Sequence, residues 1–135
     1  MQKESTLTWR WFDQVWNKGN EPAIDEMMAD EATLHGLEGI TENGPPGFKV
    51  FHRDFLKNFD VHVEVLNVIS ENGIESSHCE VTATHKPTGR DVKFSGHTTI
   101  RIENGKIAEG WNNFDFLSMY QQMGFTLTSA TSPAN

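Results

Sequence analysis

The sequence predicts an α+β domain in which N-terminal helices lie on an antiparallel sheet. Two observations predict it. Apolar residues recur every three or four positions through the first sixty residues, and from Val61 onward the period changes to two. Three turn signals, Asn72-Gly73, Thr88-Gly89 and Asn104-Gly105, then cut the second half into strand-length pieces. Helices first and a meander afterwards is the α+β pattern.

The elements follow in order. Trp9, Phe12, Val15 and Trp16 share one face of a helix over 6–18, which Gly19-Asn20 stops. A short helix starts near Asn20, with Pro22 in its first turn and Ile24, Met27 and Met28 facing inward. A short strand over 33–35 is followed by a glycine-rich loop to Gly47. Phe48, Phe51, Phe55, Leu56 and Phe59 mark the next helix, over 47–59. Strands are expected over 61–70, 74–85, 92–103 and 106–116, then a helix over 117–123 ending at Gly124. One domain over 1–125 and a loose polar tail over 126–135 account for the 135 residues. That length allows roughly two thirds of the unfolded surface to be buried.

Composition narrows the partners. A formal charge of −8 supplies no basic face for nucleic acid or an anionic membrane. A small neutral or cationic molecule fits better. The single cysteine forms no internal disulfide and suits a reducing compartment. MQKESTLTWRWF lacks an apolar leader, and no stretch approaches the ~18 apolar residues of a membrane span. The expected location is the cytoplasm.

A two-residue turn at Asn104-Gly105 pairs Glu103 with Lys106, and continued regularly it sets Ile100 opposite Glu109, Thr98 opposite Trp111, Gly96 opposite Asn113 and Phe94 opposite Asp115. A turn at Thr88-Gly89 sets Ala83 opposite Phe94, Val81 opposite Gly96 and Cys79 opposite Thr98. The inward face then collects Cys79, Val81, Ala83, Phe94, Thr98, Ile100, Ile107 and Trp111. The outward face collects His78, Glu80, His97, Arg101 and Asn112. Asp115 and Asn113 fall on the inward face near Trp111 and Phe94, where Ala83 and Gly96 leave room. His97 is separated from Asp115 unless a bulge at Gly96 or Gly110 re-aims a strand.

The run TGRDVKFSGHTTIRIENGKIAEGWNNFDFLSMYQQMG resembles the C-terminal signature of the SnoaL-like polyketide cyclase family, of the nuclear transport factor 2-like or ketosteroid-isomerase-like superfamily. Arg101-Ile102, Gly105-Lys106-Ile107, Glu109, Trp111, Asp115, Gln122 and Gly124 carry the resemblance, with His35-Gly36 upstream. It implies a cone-shaped α+β barrel around one deep apolar pocket, and a homodimer through the outer sheet face. It also implies that Asp115 is the general acid/base of an intramolecular aldol closure. VTATHKPTG departs from the family's glycine-rich stretch at that place.

Each candidate has an ordinary reading beside the functional one. A desolvated Asp115 carboxylate beside indole and phenyl rings has a raised pKa suited to proton transfer, and it is equally placed to N-cap the last helix. Trp111, Phe12, Trp16 and Phe94 either line a site for a flat apolar ligand or form plain core. Asn113 either binds a substrate carbonyl or satisfies backbone. His35, at the pocket mouth if the resemblance holds, is a second acid/base or a structural histidine. His78, Glu80 and His97 lack metal-ligand spacing and suit a dimer surface better than zinc. Cys79 reads as a small buried hydrophobe. The expected function is cofactor-independent acid/base chemistry (aldol cyclisation, isomerisation or related) on a small apolar or polycyclic carbonyl compound, with no metal. The alternative is a non-catalytic ligand-binding or dimeric interaction module on the same fold.

Overall fold

The computed structural model describes residues 2–130. A 3-10 turn, Lys3–Ser5, leads into α1 (Leu7–Trp11), which widens into a π-helical stretch, Phe12–Asn17. Then follow α2 (Pro22–Met27), β1 (Met28–His35), α3 (Gly44–Asn58), β2 (Phe59–Glu71), β3 (Ile74–His85), β4 (Arg90–Glu103), β5 (Lys106–Phe114) and α4 (Phe116–Gln122). Residues 125–129 are exposed without regular structure, and the last five positions of the expected tail lie outside the described residues.

The periodic aromatic run over 6–18 is helical throughout, but in two registers. Thr6 starts it by accepting the Trp9 N–H at 3.1 Å. At its end Lys18 N–H donates to the carbonyl of Asp13, five residues back, at 3.0 Å. Groups at this end find partners on other elements. The buried His52 ring of α3 donates Nε2–H to the Val15 carbonyl at 2.6 Å. Asn17 pairs its side-chain amide with the backbone of Val63 on β2, at 2.9 and 2.7 Å, as a neighbouring strand would. At the N-terminal end Glu75, itself buried on β3, accepts the Thr8 N–H at 2.8 Å and the Thr8 hydroxyl at 2.7 Å. The helix is thereby tied to both strands of the β2–β3 hairpin.

The sheet order is β1-β5-β4-β3-β2. β2 to β5 form the expected antiparallel meander. β1 joins β5 in parallel and is longer than the 33–35 segment expected, beginning at Met28. The helices cover one face, where Val15, Ile24, Met28, Cys79, Val81 and Ile100 are buried.

Two register differences separate the observed sheet from the expected one, with opposite consequences. In the β3–β4 hairpin His85 pairs with Arg90 around a four-residue loop, so Ala83 faces Val92 and Val81 faces Phe94. That is a slip of two, and it leaves every side chain on its expected face. In the β4–β5 hairpin Asn104 (φ 52°) and Gly105 (φ 76°) form the left-handed two-residue turn, and Glu103 and Ile102 pair with Lys106 and Ile107 as expected. Ladder pairing then skips Ala108: Arg101 faces Glu109, Thr99 faces Trp111, Thr98 faces Asn112 and His97 faces Asn113. One extra residue in β5 is a β-bulge, and it inverts the facing of everything downstream.

Candidate active site

The bulge decides what the sheet contributes to the interior. Gly110, Asn112 and Phe114 turn inward, followed by Phe116 from α4. Trp111 and Asn113 turn outward and are exposed, correcting their expected place on the inner face. The close approach at Gly96 completes the change. A Cβ there would collide with the Phe114 ring, so the space that a glycine and Ala83 were expected to leave open is filled by phenylalanine.

The inward side chains line a partly open cavity of about 70 Å³. Nine of its twenty lining residues are aromatic, including Phe12 and Trp16 from the π-helical stretch, Phe51 and Phe55 from α3, and Phe94 from β4. Trp16 packs edge-on against α3: it lies 6.0 Å from Phe51 and 5.6 Å from Phe55 between centroids, at 80° and 85°. Phe12, Trp16 and Phe94 are among the residues that line the cavity.

Polar side chains meet this space at one place. Thr98, buried on β4, donates its hydroxyl to Asn112 Oδ1 at 3.2 Å. Asn112 Nδ2 donates to the backbone carbonyl of His35 at 3.1 Å. Gly36 makes that approach possible: its φ is +84°, and a Cβ would collide with the Asn112 carbonyl oxygen. The His-Gly pair therefore serves β1–β5 packing beside the cavity through its backbone. Asn112 was expected on the outer face; the bulge at Ala108 moves it inward, and no residue pattern marks that bulge. None of the described lining residues is a carboxylate, histidine, lysine or arginine.

The two residues expected to be catalytic sit elsewhere. Asp115 lies between the cavity-lining Phe114 and Phe116 but is itself exposed, and Oδ1 accepts the Ser118 N–H at 3.0 Å as the N-cap of α4. His35 projects from the outer face. Its Nε2 meets Glu109 Oε2 at 2.8 Å, and its ring stacks on Trp111 at 5.7 Å and 22°. The His35 hydrogen bond is the main influence holding the Glu109 carboxyl below its usual pKa; desolvation opposes it, and Arg101 adds a smaller lowering. Farther along the same face His78 and His97 stack at 4.7 Å and 9°, while Glu80 pairs with Lys93 at 3.4 Å.

α4 is fastened where β5 has ended. Gln122 accepts the Lys93 N–H at 2.8 Å and donates to the Lys93 carbonyl at 2.7 Å, occupying the free edge of β4. This pins the helix that carries Phe116 over the cavity.

Residues 6–123 match the profile of the SnoaL-like polyketide cyclase family. The chain belongs to that family. Its fold is found in a proposed polyketide cyclase from Bacillus cereus, at 24% identity and TM-score 0.80, covering 90% of this chain and 80% of that one. It is also found in IdmH, a proposed polyketide cyclase from Streptomyces antibioticus, at 21% identity and TM-score 0.78, covering 92% and 100%. AclR, a proposed hydroxylase from Streptomyces galilaeus, has the same fold at 20% identity and TM-score 0.75, covering 89% and 95%. No curated protein matches the sequence significantly. This SnoaL-like chain therefore shares the α+β cone of a family of small-molecule enzymes. None of its described helices is long and apolar enough to cross a membrane.

Proposed function

We propose that this SnoaL-like protein is a cofactor-independent small-molecule enzyme that takes an apolar, carbonyl-bearing molecule into the cone. The observation that carries this reading is the cavity itself, apolar on most sides and rich in aromatic rings, with its polar side chains gathered at Thr98 and Asn112. Such a lining holds a flat apolar body and orients it by one polar group once the rings part to admit it, since about 70 Å³ is below the ~150 Å³ of a cavity that takes up benzene. The reaction class is proton transfer at carbon next to the carbonyl, as in aldol closure or isomerisation. Asp115 takes the α-proton, the enolate carbon attacks a second carbonyl, and the resulting alkoxide takes the proton back. Asn112 Nδ2–H donates to the enolate oxygen. To act, the Asp115 carboxylate turns from the Ser118 N–H past Phe114 and Phe116 to the cavity rim.

A second reading, non-catalytic binding in the same cavity, is favoured by the helix-capping role of Asp115 and by a wall without ionisable groups. Hydrogen–deuterium exchange at the methyl group of acetophenone in D₂O separates the two. Protein-accelerated exchange that disappears in Asp115→Asn supports the enzyme; exchange that persists in Asp115→Asn removes Asp115 from the mechanism, and no acceleration by the wild type favours the binding module.

Dimerisation through the outer sheet face and a cytoplasmic location belong to the same proposal. The stacked His78–His97 pair and the exposed Trp111 lie on that face, and the unpaired, buried Cys79 suits a reducing compartment. Size-exclusion with light scattering checks the dimer: His97→Glu is expected to yield monomer, and a monomeric wild type contradicts it.

A further inference from the structure

The amide of Asn112 is held in one orientation. The His35 carbonyl can only accept, so the amide edge facing it must be Nδ2, and a flipped amide would set two carbonyl oxygens against each other. Thr98 reinforces the same choice by donating to Oδ1. Among the described residues only these two partner the amide, and Oδ1 is already engaged. The second amide hydrogen has no partner among the described residues, and Asn112 belongs to a wall that offers no counter-charge.

We propose that Thr98 and Asn112 make the cavity selective for an uncharged acceptor group, with Asn112 as the contact and Thr98 as its positioning residue, so that ketones enter and isosteric carboxylates are refused. This rests on the reading that the cavity is the binding site. A ketone oxygen accepts the free N–H and needs little desolvation. A carboxylate would lose its hydration against aromatic rings with no cation to replace it, and an unpaired buried charge is strongly disfavoured.

The test uses three probes of nearly one shape, acetophenone, ethylbenzene and benzoate, at pH 7. Trp11 and Trp16 line the cavity, so binding is read by their fluorescence. Acetophenone is expected to bind about three- to tenfold more tightly than ethylbenzene, the worth of one neutral hydrogen bond, and benzoate about 100-fold or more weakly than acetophenone. In Asn112→Leu the ketone preference falls to unity while both neutral probes still bind. Thr98→Val lowers the preference, and Thr98→Ser, which keeps the hydroxyl, restores it. A role for Thr98 in stability alone would leave the ratio untouched. Equal binding of acetophenone and ethylbenzene by the wild type, benzoate binding as tight as the ketone's, or a ratio unaltered in folded Asn112→Leu overturns the anchor while leaving the cavity a binding site. Failure of all three probes to bind removes the cavity reading and the anchor with it.

Discussion

Trp111 stacks on His35 on the outer face of the sheet, opposite Thr99, one ladder position from the Thr98 that a regular hairpin would have given it. The displacement originates at Ala108, the residue that the β4–β5 ladder skips.

Deleting Ala108 is therefore a sharp test of the register. Removal of the extra residue leaves Arg101 facing Glu109 and keeps Asn112 and Phe114 inward, so the cost is expected to be about 1–2 kcal/mol, from lost local twist. Thermal unfolding measures it. In an unbulged strand, where Trp111, Asn113 and Asp115 face inward, the same deletion would turn Trp111 out and Phe114 in, and a loss above about 4 kcal/mol would show that the bulge is not there.

Asp115 allows capping and proton transfer to be separated. Asparagine caps a helix about as well as aspartate, so Asp115→Asn should keep stability within a few tenths of a kcal/mol, and Asp115→Ala should lose about 1 kcal/mol. Denaturant melts of the two variants give these values. Equal stability of both would remove the cap from the account.

Glu75 is the buried group on which the entry of α1 depends. Glu75→Ala strands the N–H and hydroxyl of Thr8 and is expected to cost about 2–3 kcal/mol, with Glu75→Gln losing less because an amide oxygen still accepts. A chemical melt in which alanine and glutamine cost the same would contradict this pairing.

The outer-face pair sets a pH dependence. Glu109 has its folded-state pKa lowered, first by the His35 hydrogen bond, against desolvation and with help from Arg101. The stability it contributes is therefore complete above the ordinary carboxylate range and is lost as pH falls through the lowered midpoint. In a carboxyl-carbon NMR titration His35→Ala should raise the Glu109 midpoint toward the usual value, and Arg101 should keep it from returning fully. An unmoved midpoint would show that the contact at 2.8 Å does not form.

Much of this molecule is legible in its sequence because turn chemistry and periodicity are local. Asn104-Gly105 adopts the positive-φ turn its residues favour, and the aromatic spacing through Trp9, Phe12 and Trp16 is helical even where the helix widens. The β3–β4 slip did no harm, since two residues return each side chain to its face. The β5 bulge was different. Ala108 has no feature that marks it, and Gly110, where a bulge was conceivable, lies two residues beyond it. One uncounted residue exchanged Asn112 for Asn113 and Phe114 for Asp115, so the site changed although the fold did not. The parallel docking of β1 on β5 was equally hidden, because a pairing across more than seventy residues leaves no short-range pattern.

The central claim is that the cavity takes a neutral carbonyl compound at Asn112. A ¹H–¹⁵N NMR titration with acetophenone tests it most directly. The account predicts saturable shifts of the Asn112 side-chain amide and of the Trp11 and Trp16 indole N–H signals, with the Trp111 indole unmoved. Shifts centred on Trp111 and Asn113, with Asn112 silent, would contradict it.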